Sequence, residues 1–166
     1  MNAKYQDPNL RELRDQQVRF APRDKKLEQI NKAETLLAEI SEDKSYPYDF
    51  LAYRITGYRP DTPRSLDEGV ATVSGKAAIH DLQLFVEDLS DSADIRVEDV
   101  PEIVCTVDQL GEKFNVSTKT ISRWRKQGLV SRRFIFNGRK RVGFLQSSVD
   151  RFVSRNRDRV DRGARF

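Results

Sequence analysis

Thr118, Lys119, Ser122, Arg123 and Lys126 all carry hydrogen-bond donors, and none of them carries a carboxylate. Four of them recur at spacings of three and four, so a helix through them presents a single donor-rich stripe. A second basic group, Arg139, Lys140 and Arg141, follows Asn137-Gly138. Such surfaces suit a partner built of acceptors and negative charge. Ammonium and guanidinium groups hold phosphate oxygens, and a guanidinium also fits the paired acceptors of a guanine edge. The other chemistry-bearing residues are sparse. His80 stands beside Asp81, a pairing that suggests acid–base work, but no nucleophile accompanies it in sequence, and no catalysis is expected. A lone cysteine, Cys105, beside Ile103 and Val104, reads as a small buried hydrophobe. One cysteine and one histidine cannot build an internal disulfide or anchor a metal site together, so no metal and no cofactor are expected. Gly138 and Gly143 read as turn and strand glycines, since no Gly-rich strand-to-helix turn surrounds them.

The elements that position these donors can be read locally. Thr106 caps a short helix with Val107, Leu110 and Phe114 on its apolar side. Gly111 lies on the inner side, where a side chain would obstruct a second helix crossing closely. Asn115 is a residue type that accepts the left-handed conformation of a tight turn, and Val116 fills the corner. Ser117 caps a second helix that turns Ile121 and Trp124 inward and stops at Gly128. Phe114 and Trp124 thus read as core rather than as base-stacking groups. These are the requirements of a helix-turn-helix, met in order. Beyond it the period changes to two. Arg133–Phe136, Asn137-Gly138 and Arg139–Phe144 predict a β-hairpin, with Asn-Gly favouring a type I′ turn. A basic hairpin placed there is a wing able to lie on phosphates or reach a minor groove. Ser147 or Ser148 is expected to cap one more helix, with Val149, Phe152 and Val153 packing back.

The first hundred residues are patterned differently. Residues 1–22 are polar, with Asp7-Pro8 able to cap a short helix whose apolar stripe is only Leu10 and Leu13, and are expected to form a partly ordered arm. Leu27, Ile30, Ala33, Leu37 and Ile40 predict a helix over 23–40. A second helix is expected from Pro47 to Thr56, stopped by Gly57. Tyr46, Tyr48, Phe50, Tyr53 and Tyr58 crowd around it, either as a small core filled with rings or as a partner-docking patch. Residues 59–75 read as a long loop, 77–89 as a helix, and the acidic 90–105 as a linker. The organisation expected is an arm (1–22), an acidic helical module (23–89), a linker (90–105), a winged helix-turn-helix (106–155) and a basic tail (156–166). The fold class is mainly α, a helical module plus a winged helix-turn-helix with a small β-hairpin.

Charge follows that division. Residues 1–100 hold 14 Lys and Arg against 20 Asp and Glu, a net of −6, whereas residues 101–166 hold 16 against 6, a net of +10. Such asymmetry points to a polyanion partner for the basic part, and double-stranded DNA leads. The final 16 residues carry six arginines, suited either to phosphate contact or to solubility. No stretch free of charge exceeds the eight residues Val142–Val149, far short of the ~20 a membrane span needs. No membrane partner is expected, and a reducing cytoplasm suits the cysteine usage.

The order helix, turn, helix, Gly-Leu, basic hairpin, helix resembles the winged helix of the MerR and excisionase-like families. The residues that carry it are Thr106-Val107, Phe114–Trp124, Gly128-Leu129 and Ser148–Phe152. Over more of the chain, the segments Arg14–Lys26, Tyr53–Pro60, Asp81–Leu89 and Ser117–Arg155 resemble the N-terminal part of a group of bacterial sigma-70-type RNA polymerase sigma factors. No segment resembles that family's polymerase-binding and promoter-melting helices, so the chain reads as a fragment of a longer factor or a free-standing relative of its N-terminal modules. The resemblance implies a DNA-binding transcription factor in initiation, with RNA polymerase core as a partner. In this reading Thr118, Lys119, Ser122 and Arg123 meet base edges, and Lys119, Lys126 and Arg139–Arg141 meet phosphates. Two other functions fit the same pattern: an excisionase-like architectural protein that bends DNA, and an adaptor whose winged helix grips protein.

Overall fold

The computed structural model describes residues 4–58 and 71–164. The chain is mainly helical, with small antiparallel sheets that include a β-hairpin. It divides into two units, one up to Ala93 and one from Asp94 onward. No helix among the described residues is long and apolar enough to cross a membrane.

The first unit packs α1 (Pro8–Phe20) and α2 (Arg23–Glu39) against the long α4 (Gly75–Ser92), with α3 (Tyr48–Thr56) against α2. Strands β1 (Ser45–Pro47) and β2 (Thr72–Ser74) pair antiparallel, Tyr46 opposite Val73. Leu10, Ile30, Ala33, Leu36, Leu51, Ile55, Leu82, Phe85 and Leu89 are buried. Helix α2 and the Gly57 stop of α3, at φ 75°, follow the sequence pattern. The capped helix after Asp7-Pro8 forms as expected, with more order than an arm implies. The arm over 1–22 is, from Pro8, a 13-residue helix with Leu10 and Leu13 buried. Asp7 caps it through Asn9 and Leu10 N–H, while a carboxylate from far along the chain, Asp81, accepts the N–H groups of Gln6 and Asp7, each at 2.8 Å. The expected loop over 59–75 lies outside the described residues up to 70, and its end is β2 and the first residue of α4. The ring cluster divides: Tyr48 is buried, Tyr46 stacks on Phe50 at 6.3 Å, and Phe50, Tyr53 and Tyr58 are exposed. It is therefore not simply a core of rings.

Asp81 also explains the histidine beside it. The carboxylate is fully buried, and His80 Nδ1 lies 2.8 Å from the oxygen that also accepts from Gln6. Three groups thus occupy the two oxygens, which ties the pair to holding the entry of α1 onto α4.

The second unit begins with Asp94, a 3₁₀ turn at Val97–Asp99 and β3 (Val104–Cys105). Helices α5 (Val107–Phe114) and α6 (Thr118–Lys126) follow, then β4 (Arg132–Phe136), β5 (Arg139–Leu145), α7 (Gln146–Arg155) and α8 (Arg157–Ala164). The sheet order is β3-β5-β4, all antiparallel. The expected linker over 90–105 is thus largely structured. Its start ends α4, its middle forms the 3₁₀ turn, and Cys105 is buried opposite Phe144. Ile135 N–H donates to Ile95 O at 2.7 Å, so the segment before the turn runs along the outer edge of β4. The expected serine cap of α7 is also corrected: the helix starts at Gln146 with Leu145 at its N-cap, and no side chain caps it. Ser148 is buried, and Ser147 instead bonds Glu102. Much of the expected basic tail over 156–166 is α8, whose Val160 joins the unit's core; residues 165–166 lie outside the described residues.

Candidate nucleic-acid interface

Each device that sets α6 in place is local. Thr106 and Gln109 form a reciprocal capping box, Gln109 N–H donating to Thr106 Oγ1 at 3.1 Å and Thr106 N–H to Gln109 Oε1 at 2.9 Å. Helix α5 then ends at Asn115, left-handed at φ 54° and ψ 50°. The chain reverses there because Val116 N–H reaches back to Gly111 O at 2.9 Å. The close approach at Gly111 is to the turn rather than to a crossing helix: a Cβ on it would stand 3.0 Å from Val116 O. Ser117 caps α6 by accepting from Thr120 N–H. After α6, Gly128 at φ 119° lets Leu129 N–H return to Trp124 O at 3.0 Å.

Ile121 and Trp124 are buried with Leu110, Leu129, Phe144, Val149, Phe152 and Val160 in one cluster, and Phe114 and Val116 pack against it. Trp124 meets Phe114 edge-on at 5.7 Å and Phe152 at 5.8 Å. Both aromatics named as core therefore lie there. The cluster takes side chains from α6 and from β5, so the stripe and the hairpin are anchored to one core.

With the inner face occupied, Thr118, Lys119, Ser122, Arg123 and Lys126 are all exposed. No acidic residue lies on α6, and its last turn adds Arg125 to Arg123 and Lys126. The hairpin turns through Asn137 at φ 49° and Gly138 at φ 82°, both positive as a type I′ turn demands. Arg139, Lys140 and Arg141 are exposed beyond it. They do not act as a block, because side chains alternate along a strand. Cross-strand partners share a face: Arg139 opposes Phe136, Arg141 opposes Phe134, and Lys140 opposes Ile135. Arg139 and Arg141 thus project from one side of the hairpin and Lys140 from the other, together with Arg133. Sequence reasoning passed over Arg133, although the register implied by Asn137-Gly138 and simple alternation place it on Lys140's face. Gly143 makes room on the other side, where a Cβ would come within 2.8 Å of the Phe134 ring and 2.9 Å of Val104.

The electrostatics distinguish these cations. Lys140 Nζ lies 3.0 Å from Asp94 Oδ1. Among the described residues, no ion pair engages Lys119, Arg123, Lys126, Arg139 or Arg141. Elsewhere in this unit Arg96 donates to Glu98 at 2.9 Å, and this bond holds the Glu98 carboxyl below its ordinary value. What the arrangement offers is an exposed helix face whose side chains can all donate, and a basic hairpin anchored to the same core, with Lys119, Arg123, Lys126, Arg139 and Arg141 outside any ion pair among the described residues.

No protein-family model, curated protein or solved structure matches the chain.

Proposed function

We propose that the second unit is a winged helix-turn-helix that binds double-stranded DNA, with α6 as the recognition helix and the β4–β5 hairpin as the wing. The observation that carries this reading is the exposed α6 stripe, in which every side chain can donate and none is acidic, and whose cations Lys119, Arg123 and Lys126 have no acidic partner among the described residues. An ordinary solvated helix carries interleaved acids; a helix entering a major groove has to present donors to base acceptors and phosphates. Thr118, Lys119, Ser122 and Arg123 would read base edges. Lys126 and the hairpin cations Arg139, Lys140 and Arg141 would hold the backbone. Taken with the sequence resemblance to the N-terminal modules of sigma-70-type factors, the reading extends to a DNA-binding transcription factor acting in initiation, for which that resemblance alone implies RNA polymerase core as a second partner.

The test is fluorescence anisotropy of the whole chain on a random-sequence duplex across a salt series. Log K should fall linearly with log salt, with a slope equivalent to about five or more phosphates at ~0.9 each. No binding at the lowest salt would sink the reading and leave the unit as a protein-docking module. Capture of core polymerase by the chain would support the initiation role; cooperative binding to repeated sites without polymerase would favour the architectural alternative.

A further inference from the structure

Lys140 differs from the other exposed cations of the hairpin in already holding an anion, and the anion is placed by backbone structure. Asp94 has φ 52°, a left-handed conformation that Asp tolerates better than most residues. The residues after it are fixed: Ile95 is buried, its carbonyl accepts from Ile135, and Arg96 bridges Ile135 in parallel. Ile135 is in turn the cross-strand partner of Lys140. The order across the sheet is therefore the 94–96 segment, then β4, then β5, and the Lys140 side chain spans β4 to reach Asp94. Both groups stay open to solvent, with Lys140 39% and Asp94 67% exposed at the side chain. A pair so exposed is weak and exchanges readily. Its geometry, an oxyanion at 3.0 Å from the ammonium, is the one a backbone phosphate would adopt.

We infer that the Asp94 carboxylate is an internal substitute for a nucleic-acid phosphate, occupying Lys140 until a duplex displaces it. The inference rests on the DNA-binding reading above. It assigns Asp94 a restraining role: each binding event has to break the Lys140 pair first, so the wing on this side contributes less than its charge suggests. Arg139 and Arg141, on the opposite side and without an acidic partner among the described residues, carry no such restraint.

The experiment is a double-mutant cycle on the whole chain, read as affinity for a random-sequence duplex near physiological salt. Asp94→Asn keeps the size of the side chain and its tolerance of the left-handed conformation, while removing the charge. It should bind about two- to five-fold more tightly, the range an exposed ion pair supports. In a Lys140→Gln background the same substitution should change affinity by less than about 1.5-fold, since no ammonium is left to release. An equal gain in both backgrounds overturns the inference, because a carboxylate would then be acting only by general repulsion of DNA. No gain in either background overturns it as well. Asp94→Gly, which also fits the left-handed backbone, should reproduce the gain, and its failure to do so would assign the Asn effect to the new amide. These outcomes are separate from failure of the underlying reading, in which the unmodified chain would not bind duplex even at the lowest salt; that result overturns both.

Discussion

At the scale of single residues, the first unit depends on side chains that join elements far apart in sequence. Tyr5 donates its hydroxyl to Asp88 at 2.8 Å, Arg14 bonds the same carboxylate oxygen, and the Arg14 guanidinium lies 4.7 Å above the Tyr5 ring. Burial pushes the Tyr5 phenol far above its ordinary value, and the Asp88 carboxylate adds to the shift. The sign of the consequence is fixed. Below about pH 10 the phenol is neutral in both states and its stabilisation is complete; above that the unfolded chain ionises first, so stability falls as pH rises. Tyr5→Phe should cost ~1 kcal/mol at neutral pH through the lost hydrogen bond. The gap to the unsubstituted chain should narrow by ~1 kcal/mol by about pH 11, because only the latter loses up to ~1.4 kcal/mol per pH unit from this phenol. Urea unfolding at the two pH values checks it, and a constant gap would contradict the assignment. In the second unit the corresponding residue is Arg123. Arg123→Ala should weaken a site selected from a random library by ~1–3 kcal/mol and a random duplex by much less, whereas Arg139→Ala should weaken both alike. Equal losses for Arg123→Ala on the two DNAs, measured by anisotropy, would remove it from base readout.

At the scale of elements, the junction of β2 and α4 makes the most exacting demand. Gly75 N–H donates to Lys44 O at 2.6 Å, and a Cβ there would stand 1.9 Å from Ser41 O and 2.8 Å from Lys44 O. Both obstacles are backbone, so no rotamer relieves them. Gly75→Ala should therefore destabilise the chain by about 2–3 kcal/mol in equilibrium urea unfolding; a loss below ~0.5 kcal/mol would mean that the β1–α3 side of the unit yields more freely than its hydrogen bonds suggest. The same junction shows where sequence reading succeeds and where it stops. Thr106, Asn115, Ser117 and Asn137-Gly138 announce their elements because capping and turn chemistry act within a few residues, and the α6 stripe followed directly from that frame. Strands β1, β2 and β3, of two or three residues, exist only through pairing with distant partners, and no local pattern marks them. Helix α1 looked like an arm because its thin stripe is completed by Asp81, more than seventy residues away. The alternation that splits Arg139 and Arg141 from Lys140 was legible in the register; the Asp94 partner of Lys140, 46 residues distant, was not.

At the scale of the whole molecule, the division at Asp94 sets where the chain can be cut. Pattern alone gives a linker over 90–105, which contains Asp94 but marks no point within it, and removing the first hundred residues would seem harmless to the basic part. The structure argues for an earlier cut. A fragment starting at Pro101 loses Ile95, which is buried and accepts from Ile135 N–H, and leaves the outer edge of β4 bare there. An unpaired edge strand with a lost apolar contact costs stability and invites association. Residues 94–166 should accordingly melt ~5–15 °C above residues 101–166, the shift that ~1–2 kcal/mol produces in a unit of this size. They hold 17 Lys and Arg against nine Asp and Glu, a net of +8, while residues 1–93 carry −4. Taking away the acidic unit removes long-range repulsion of a polyanion but none of the proposed contacts. Fragment 94–166 should therefore bind duplex at least as tightly as the whole chain at low salt and keep the same salt slope, since that slope counts the phosphates engaged. A folded 94–166 fragment with a shallower slope would mean that the first unit supplies phosphate contacts of its own. That outcome would extend the interface beyond the α6 stripe and the hairpin.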